Sequence, residues 1–261
     1  MSPQYRHMFD RLVGFARNPV QKGAGERVRL LSQQLIHGLY VAQFAGRYTF
    51  MLPAAQRFFT PWYAPEFRDG VFARVRAHTL LREENCHLLE SLVRHARHLG
   101  GDFAECGIYR GGSAWVMANA LAGQHALHLF DTFTGMPATA GAATDGHTEG
   151  DFGDTSLASV QTFLADFSSV HFHPGFIPDT FEGLDNHQWA FAHIDVDIYS
   201  SALACLEYFY PRMKPGGVIL LDDYGYRIYE HAEKRAVDDF FATRPEKPIV
   251  LPTGQAMILK I

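Results

Sequence analysis

The fold is decided by the stretch His193-Ile-Asp-Val-Asp-Ile-Tyr-Ser200, together with its counterpart Pro215-Gly-Gly-Val-Ile-Leu-Leu-Asp-Asp-Tyr-Gly225. In each stretch an apolar run leads into a pair of aspartates. Short apolar runs of this kind are typical of central strands in a parallel sheet, which are buried on both faces. In open α/β sheets, ligands bind beyond the carboxyl ends of the strands. We therefore predict two strands that deliver acidic side chains to one binding site.

The four aspartates at these strand ends are candidate metal ligands: Asp195, Asp197, Asp222 and Asp223. Carboxylates gathered at one edge of a sheet repel one another unless a cation or bound protons offset their charge. Mg²⁺ is the simplest candidate because this hard ion prefers oxygen ligands. An acid after a strand also commonly caps a helix or shapes a turn, which is the structural alternative for any one of the four. Their occurrence as two pairs, each followed by a tyrosine, favours the metal site.

The bulk composition narrows the class of protein. The chain has 261 residues, 47% hydrophobic and 20% charged, enough for one elaborated α/β domain or two small ones. Its formal net charge of −5, without a long basic run, argues against nucleic acid as the main partner. Cys86, Cys106 and Cys205 show no CxxC pattern and are interpreted as buried thiols in a reducing compartment. With no signal-peptide pattern and no run long enough to span a bilayer, we expect a cytoplasmic protein without membrane partners.

A strand, a glycine turn and a helix are predicted in succession by Asp102-Phe-Ala-Glu-Cys-Gly107 and Ile-Tyr-Arg-Gly111-Gly112-Ser113, with the helix running to Leu121. Glycine lets a ligand approach the backbone, and the helix N-terminus offers free N–H donors. The Gly-xxx-Gly-Gly spacing differs from that of dinucleotide sites and disfavours a nicotinamide dehydrogenase. The next strand ends at Asp131, where an acid is well placed to bind ribose hydroxyls. A turn-forming aspartate is the alternative.

The rest of the pattern alternates helices and strands. We predict helices over residues 72–99, 155–167, 200–213 and 229–243, the second capped by Asp154 or Thr155. The Gly- and Ala-rich loop over residues 132–153 is either a functional flap or disordered. Thr253-Gly254 predicts a tight turn between two last strands, so the final strand is expected to be antiparallel. These elements together predict a doubly wound α/β sheet.

Residues 1–70 are predicted to form an N-terminal extension to a main domain over residues 71–261. Apolar positions at helical spacing predict a helix over residues 28–40. Residues 44–72 are rich in aromatics and broken by proline, which is typical of a loop packed on a core. The alternatives are a substrate lid or a dimer contact, so a homo-oligomer is a possible outcome.

Six motifs occur in a characteristic order: His78-Thr-Leu-Leu, Glu105-Cys-Gly-Ile-Tyr-Arg-Gly-Gly-Ser113, Phe130-Asp-Thr-Phe-Thr-Gly-Met-Pro137, Ile194-Asp-Val-Asp-Ile-Tyr199, Lys214-Pro-Gly-Gly with Leu221-Asp-Asp-Tyr-Gly225, and Ala236-Val-Asp-Asp-Phe240. In this order the sequence resembles the macrocin O-methyltransferase family, S-adenosylmethionine-dependent enzymes that act on sugar hydroxyls of macrolides and related natural products. The family often has an acid after the strand-end tyrosine, where this chain has Ser200.

The resemblance implies a Rossmann-like class I methyltransferase fold with S-adenosylmethionine and Mg²⁺ as cofactors. It places the metal ligands at Asp195, Asp222 and Asp223 and the general base at Asp197. His193, on the same strand face as Asp195, is a second catalytic candidate, against the alternative of a packed core histidine. The cofactor site is implied at the following residues: Glu105, Gly107, Tyr109, Gly111, Ser113, Asp131 and Thr132.

The expected reaction is methyl transfer to a hydroxyl of a small metabolite, specifically a sugar diol of a glycosylated natural product. A metal bound by two adjacent hydroxyls lowers their pKa, and Asp197 can then take the proton. Two alternatives stay open at this point. One is a catechol-type O-methyltransferase that uses the same acids on an aromatic diol. The other is a catalytically idle protein that binds S-adenosylmethionine without Mg²⁺ dependence.

Overall fold

Seven strands form one sheet in the order β3-β2-β1-β4-β5-β7-β6. The computed structural model describes residues 59–137 and 147–261. The strands are β1 (Asp102–Cys106), β2 (Leu127–Asp131), β3 (Val170–Pro174), β4 (Trp189–Ile194), β5 (Met213–Leu221), β6 (Ile249–Val250) and β7 (Ala256–Leu259). Neighbouring strands pair in parallel except for β7, which is antiparallel to both β5 and β6. The predicted doubly wound sheet with an antiparallel last strand is confirmed.

Helices cover both faces of this sheet. They are α1 (Glu83–Ala96), α2 (Gly112–Leu121), α3 (Leu157–Phe163), α4 (Tyr199–Phe209) and α5 (Glu233–Phe241). A π-helical segment, Glu66–Phe72, continues into one helical turn at Ala73–Val75. Short 3₁₀ turns lie at Pro61–Tyr63, Arg97–Leu99, Asp179–Phe181, Tyr210–Arg212 and Arg227–Tyr229. Within the described residues, no helix combines the length and the apolar character that crossing a bilayer requires.

Two apolar clusters fill the space between the sheet and the helices. One joins Leu89 of α1 and Met117 of α2 to Phe103 and Phe191 of the sheet. The other joins α4 and α5 to the opposite face, where Trp189 is fully buried. All six residues of β4 are buried, as the continuous apolar run predicts for a central strand. The three cysteines are free and buried, as expected.

The predicted helix over residues 72–99 is wrong in its middle. The chain leaves the helix after Val75, and α1 begins only at Glu83. Between them the backbone passes over the start of α2, where the Gly112 N–H donates to the His78 carbonyl at 2.9 Å. A Cβ at position 112 would lie 2.7 Å from that carbonyl oxygen, so the close approach requires glycine. The contact with Gly112 ends the helix after Val75, and Gly112 lies far along the chain from that point.

Three other helices differ from prediction at their ends. Ser156 caps α3, because Asp154 pairs with Arg110 and the Thr155 hydroxyl donates to the Tyr109 carbonyl. This helix ends at Phe163 rather than at residue 167. Helix α4 ends at Phe209, before a 3₁₀ turn, and Met213 already belongs to β5. Helix α5 covers only Glu233–Phe241 of the predicted 229–243.

Part of the predicted organisation falls outside the described residues. This is the case for the helix over residues 28–40, for most of the N-terminal extension and for residues 138–146 of the long loop. Of the aromatic segment, Phe67 is buried in the core cluster beside α1, whereas Tyr63 is exposed. The division of the chain at residue 70 stays a prediction.

Candidate active site

A cavity of about 380 Å³ opens beyond the carboxyl ends of β1, β2, β4 and β5. This is the edge where parallel α/β sheets bind ligands, and the volume is typical of small-molecule sites. Nine of the predicted site residues line the cavity: Gly107, Tyr109, Ser113, Asp131, Thr132, Asp195, Asp197, Asp222 and Asp223. Glu105, Gly111 and His193 do not.

Gly107 brings the turn after β1 against the backbone that follows β4. Its φ is +86°, and a Cβ built there would lie 1.7 Å from the Asp195 carbonyl oxygen. The Asp195 N–H also donates to the Cys106 carbonyl at 2.9 Å. No side chain fits between these two segments, so glycine is required at position 107. The glycine turn and the first acidic strand end therefore form one contiguous wall of the cavity.

Asp131 is fixed at the end of β2 by backbone N–H groups. Its Oδ2 accepts hydrogen bonds from Ile108 at 2.5 Å and from Tyr109 at 3.2 Å, and its Oδ1 accepts one from Phe133 at 2.6 Å. The carboxylate thus ties the glycine turn of β1 to the end of β2. The turn-forming and ligand-binding interpretations are compatible here, because the same side chain also faces the cavity.

Gly111 has a packing role rather than a place on the cavity wall. Its φ is +84°, and a Cβ there would lie 2.9 Å from a methyl group of Val160 on α3. The residue therefore lets α3 pack close to the start of α2.

A buried chain of polar contacts runs behind the cavity. His193 Nδ1 lies 2.9 Å from Glu105 Oε1, and His193 Nε2 lies 3.5 Å from Asp222 Oδ1. Burial alone lowers the pKa of His193, but the contacts with Asp222 and Glu105 outweigh it and raise the pKa to about 10. His193 and Glu105 are fully buried. His193 and Glu105 thus form a buried polar pair directly beside Asp222.

Three carboxylates converge at the centre of the site. One oxygen from each of Asp195, Asp197 and Asp223 lies within 4.8 Å of the other two. Asp222 faces the same cavity, but its Oδ1 accepts a hydrogen bond from Gln255 Nε2 at 2.6 Å. Asp197 has a φ of +62°, an uncommon value for a residue other than glycine.

Burial and mutual repulsion act on these carboxyls. Desolvation, followed by the charges of Asp222 and Asp223, raises the pKa of Asp195 well above its usual range. Desolvation, followed by the charges of Glu233 and Asp197, raises the pKa of Asp223 to about 11. Glu233 is fully buried, accepts the Asp223 N–H at 2.9 Å and has a raised pKa as well.

The donor set fits a hard divalent cation. The converging atoms are carboxylate oxygens, which Mg²⁺ prefers. A cation among them would offset the repulsion that raises the pKa values of Asp195 and Asp223. Arg82, on the cavity wall, donates to the Thr253 carbonyl at 2.8 Å and pairs with Glu84 at 3.1 Å, so its charge is engaged elsewhere.

Four residues that the sequence did not single out contact the acids: His147, Tyr229, Glu233 and Gln255. His147 Nε2 lies 2.9 Å from the Tyr229 hydroxyl and 3.6 Å from Asp197 Oδ1. The contact with Asp197 outweighs desolvation and raises the pKa of His147. Desolvation and the charge of Asp197 raise the pKa of Tyr229. No local pattern marks these residues, because they come from three separate parts of the chain: His147 from the loop before α3, Tyr229 and Glu233 from the start of the α5 region, and Gln255 from the turn before β7.

Comparisons with known proteins identify the family of this chain. A model of the macrocin-O-methyltransferase (TylF) family matches residues 69–250. The 8-demethyl-8-(2,3-dimethoxy-alpha-L-rhamnosyl)-tetracenomycin-C 4'-O-methyltransferase of Streptomyces olivaceus is 29% identical over 167 residues, which are 57% of this chain and 63% of that protein. Mycinamicin III 3''-O-methyltransferase of Micromonospora griseorubida is 27% identical over 186 residues, 62% of this chain and 73% of that protein. The match thus spans less than two thirds of the first of these relatives.

Solved structures show the same fold. The structure of the O-methyltransferase NovP superposes with a TM-score of 0.63 at 23% identity and covers 77% of this chain and 91% of its own. CalS11, a calicheamicin methyltransferase, superposes with a TM-score of 0.60 at 17% identity and covers 92% of this chain and 94% of its own. The predicted Rossmann-like class I methyltransferase sheet is confirmed.

Proposed function

We propose that this chain, which belongs to the macrocin-O-methyltransferase (TylF) family, is an O-methyltransferase. In this proposal it uses S-adenosylmethionine and Mg²⁺ to methylate one hydroxyl of a sugar diol on a glycosylated natural product. The observation that carries this proposal is the convergence of Asp195, Asp197 and Asp223 within 4.8 Å, in the same cavity as the glycine turn. One half of the cavity suits a nucleoside, and the other half suits a metal and a diol.

The nucleoside half is proposed at the turn after β1 and the end of β2. Gly107 allows close approach to the backbone, and Ser113 lies in the first turn of α2. Asp131 is held in place by its N–H donors, and its carboxylate oxygens can accept further bonds from ribose hydroxyls. Tyr109 and Thr132 complete this wall. Glu105 and Gly111 support the site from behind.

The metal half is proposed at Asp195 and Asp223 of the converging group, with Asp222, which lines the same cavity, as the third ligand. Asp222 offers the oxygen that Gln255 does not hold, and His193 with Glu105 keeps its side chain in place. When bound, Mg²⁺ supplies Lewis acidity that lowers the pKa of a chelated hydroxyl and fixes its orientation. The nearby Asp197 then acts as the general base at that oxygen. His193 is fully buried, which makes it a positioning residue rather than the base.

Two polar side chains, His147 and Tyr229, lie beside Asp197. His147 contacts Asp197 Oδ1 at 3.6 Å and the Tyr229 hydroxyl at 2.9 Å. His147 thus lies against one oxygen of the carboxylate and is itself held by Tyr229. Positioning an oxygen nucleophile in line with the donor methyl group can lower the activation free energy by about 7–11 kcal/mol in well-oriented systems.

The sugar acceptor is supported by the relatives, one of which is the 4'-O-methyltransferase of a rhamnosyl tetracenomycin and another the 3''-O-methyltransferase of mycinamicin III. A catechol acceptor has one observation in its favour, namely that aromatic side chains line the cavity: Tyr109, Phe152, Phe176, Tyr226 and Tyr229. Such rings can stack on an aromatic diol or on the apolar face of a sugar.

The proposal is tested with purified full-length protein and methyl-labelled S-adenosylmethionine. Deoxysugar glycosides with a free diol and simple catechols are offered in parallel, with and without EDTA. We expect transfer to a glycoside, its loss in EDTA and its return with Mg²⁺. Transfer to catechols alone would identify the aromatic alternative, and donor binding without any transfer would identify the idle one.

The metal assignment is tested separately by Asp195→Asn. We expect this variant to lose Mg²⁺-dependent turnover by two orders of magnitude or more, about what removal of a key electrostatic group produces, while donor binding survives. Asp166→Asn is the matched control, since Asp166 is exposed and lies outside the cavity wall. Wild-type turnover in Asp195→Asn would show that the metal is not held there.

A further inference from the structure

A second group of potential metal ligands lies at the opposite edge of the sheet. Asp102 is the first residue of β1, His128 is the second residue of β2, and His187 precedes β4 by two residues. One ligand atom from each lies within 4.8 Å of the other two. None of the three lines the active-site cavity. We call Asp102, His128 and His187 the amino-edge group, because they lie at the amino ends of the parallel strands.

His128 carries the main evidence for a ligand. Its side chain is only 5% exposed, and its Nδ1 lies 2.9 Å from His173 Nε2. Its Nε2 is buried and has no hydrogen-bond partner within the two described ranges. A buried imidazole nitrogen without a protein partner is uncommon, and such atoms usually bond to a water molecule or an ion. The amino-edge group is where that nitrogen can find one.

The hydrogen bond to His173 also fits the tautomer that a metal needs. If the His128 Nδ1–H donates to His173 Nε2, the lone pair of His128 lies on Nε2. Metal-binding histidines usually donate their other ring N–H in this way. Burial and the neighbouring His173 lower the pKa of His128 to about 4, so the ring is neutral at physiological pH. A neutral imidazole is the form that binds metals.

His187 and Asp102 provide the polar and accessible side of the group. His187 Nδ1 lies 2.6 Å from Asp102 Oδ2, and their side chains are 32% and 28% exposed. An ion can therefore enter from solvent, and water can complete its coordination. The His171 ring packs on His128 at 5.0 Å between centroids but is not part of the ligand group.

We propose that the amino-edge group binds one divalent transition-metal ion of the zinc class, with ligand atoms from Asp102, His128 and His187 and with water in the remaining position. Two imidazoles and one carboxylate form a recognised zinc ligand set with an open position. Imidazole ligands favour Zn²⁺, Cu²⁺ or Ni²⁺ over Mg²⁺, which distinguishes this site from the carboxylate site. The ion would tie β1, β2 and the segment before β4 together, at the edge of the sheet opposite the active-site cavity.

The test uses untagged full-length protein stripped with EDTA and titrated calorimetrically with Zn²⁺ in the presence of excess Mg²⁺. We expect the wild type to bind one Zn²⁺ per chain at the amino-edge group. In His187→Ala this binding should be lost, or its affinity should fall at least roughly tenfold, since even supporting residues of metal sites typically contribute tenfold or more to affinity. Any Zn²⁺ that binds at the carboxylate site binds equally to the wild type and to His187→Ala, so it does not affect the difference between them. His171→Ala and the exposed His98→Ala are matched controls that should bind Zn²⁺ as the wild type does.

Two further measurements keep the test decisive. Co²⁺ in place of Zn²⁺ should give visible ligand-field bands in the wild type that are lost in Asp102→Asn, a change that preserves the shape of the side chain. Zn²⁺ should also raise the melting temperature of the wild type but not of His187→Ala. Equal Zn²⁺ affinity in wild type and His187→Ala, or no binding by the wild type, would overturn the proposal. Because these readouts do not involve methyl transfer, their failure is distinct from failure of the proposed function.

Discussion

Asp131 is held firmly by the fold at the wall of the cavity. Its two carboxylate oxygens accept backbone N–H groups from Ile108, Tyr109 and Phe133, so the side chain is already positioned before a ligand binds. A preorganised acceptor loses little entropy on binding, which strengthens each bond it makes. The acid at the end of β2 was predicted from its spacing to Gly107, but its contacts with Ile108 and Tyr109 were not, because these residues belong to the turn after β1.

The first prediction concerns this residue. Asp131→Ala should weaken the binding of S-adenosylmethionine roughly 10- to 100-fold, because it removes hydrogen bonds to a charged acceptor. Isothermal titration calorimetry measures the change. Asp154→Ala is the control, since Asp154 pairs with Arg110 and does not line the cavity. Equal affinities of wild type and Asp131→Ala, with the melting temperature preserved, would contradict the ribose role.

At the scale of elements, the sequence was most informative where burial decides the structure. The continuous apolar runs of β4 and β5 predicted two central strands, and these pair in parallel with His193 opposite Leu220. The interruption between Val75 and Glu83 could not be predicted, because it is imposed by contact with Gly112 on another helix. The same holds for His147 and Gln255, which reach the acids only once the sheet is assembled.

Glu246 lies between α5 and β6 and contacts both the 3₁₀ turn that begins at Tyr210 and Lys260, the residue after β7. These contacts lead to a pH-dependent prediction. Its side chain is 3% exposed, accepts a hydrogen bond from the Tyr210 hydroxyl at 2.6 Å and pairs with Lys260 at 3.2 Å. These contacts, the Tyr210 hydrogen bond first, lower the pKa of Glu246 to about 2. Since the pKa is lower in the folded state, the stabilisation is present above the unfolded value of about 4.3 and is lost as the pH falls toward 2.

Glu246→Gln should therefore reduce the free energy of unfolding at pH 7 by about 1.5–3 kcal/mol, the usual worth of a hydrogen bond to a charged group. The difference from wild type should shrink as the pH falls from about 5 to about 2. Urea unfolding at a series of pH values measures both effects. Glu207→Gln, an exposed change on α4, serves as the control and should show neither. A difference that does not depend on pH would refute the assignment.

At the scale of the whole molecule, the carboxylates of the active site oppose folding unless their charge is offset. Asp195, Asp223 and Glu233 all have raised pKa values, and desolvation is the first cause of each. A cation that binds only the folded state stabilises it by mass action, by about 2.7 kcal/mol at a concentration 100 times its dissociation constant. We therefore expect Mg²⁺ to raise the melting temperature of the entire protein.

Differential scanning calorimetry with MgCl₂ and with KCl of matched ionic strength tests this expectation. The increase should occur with Mg²⁺ and should vanish in Asp195→Asn, because the effect depends on the carboxylate group and not on general screening. An equal increase with KCl would indicate screening of surface charge instead.

The contact between Gly107 and the Asp195 backbone has a consequence for redesign of the enzyme. Because a Cβ at position 107 would lie 1.7 Å from that backbone, the two segments cannot be separated or altered independently. Attempts to broaden the range of acceptors are therefore best directed at the other walls of the cavity, at residues 78–82 and at Tyr226 and Tyr229. Libraries confined to those positions should retain donor binding, whereas libraries that include position 107 should be dominated by inactive members.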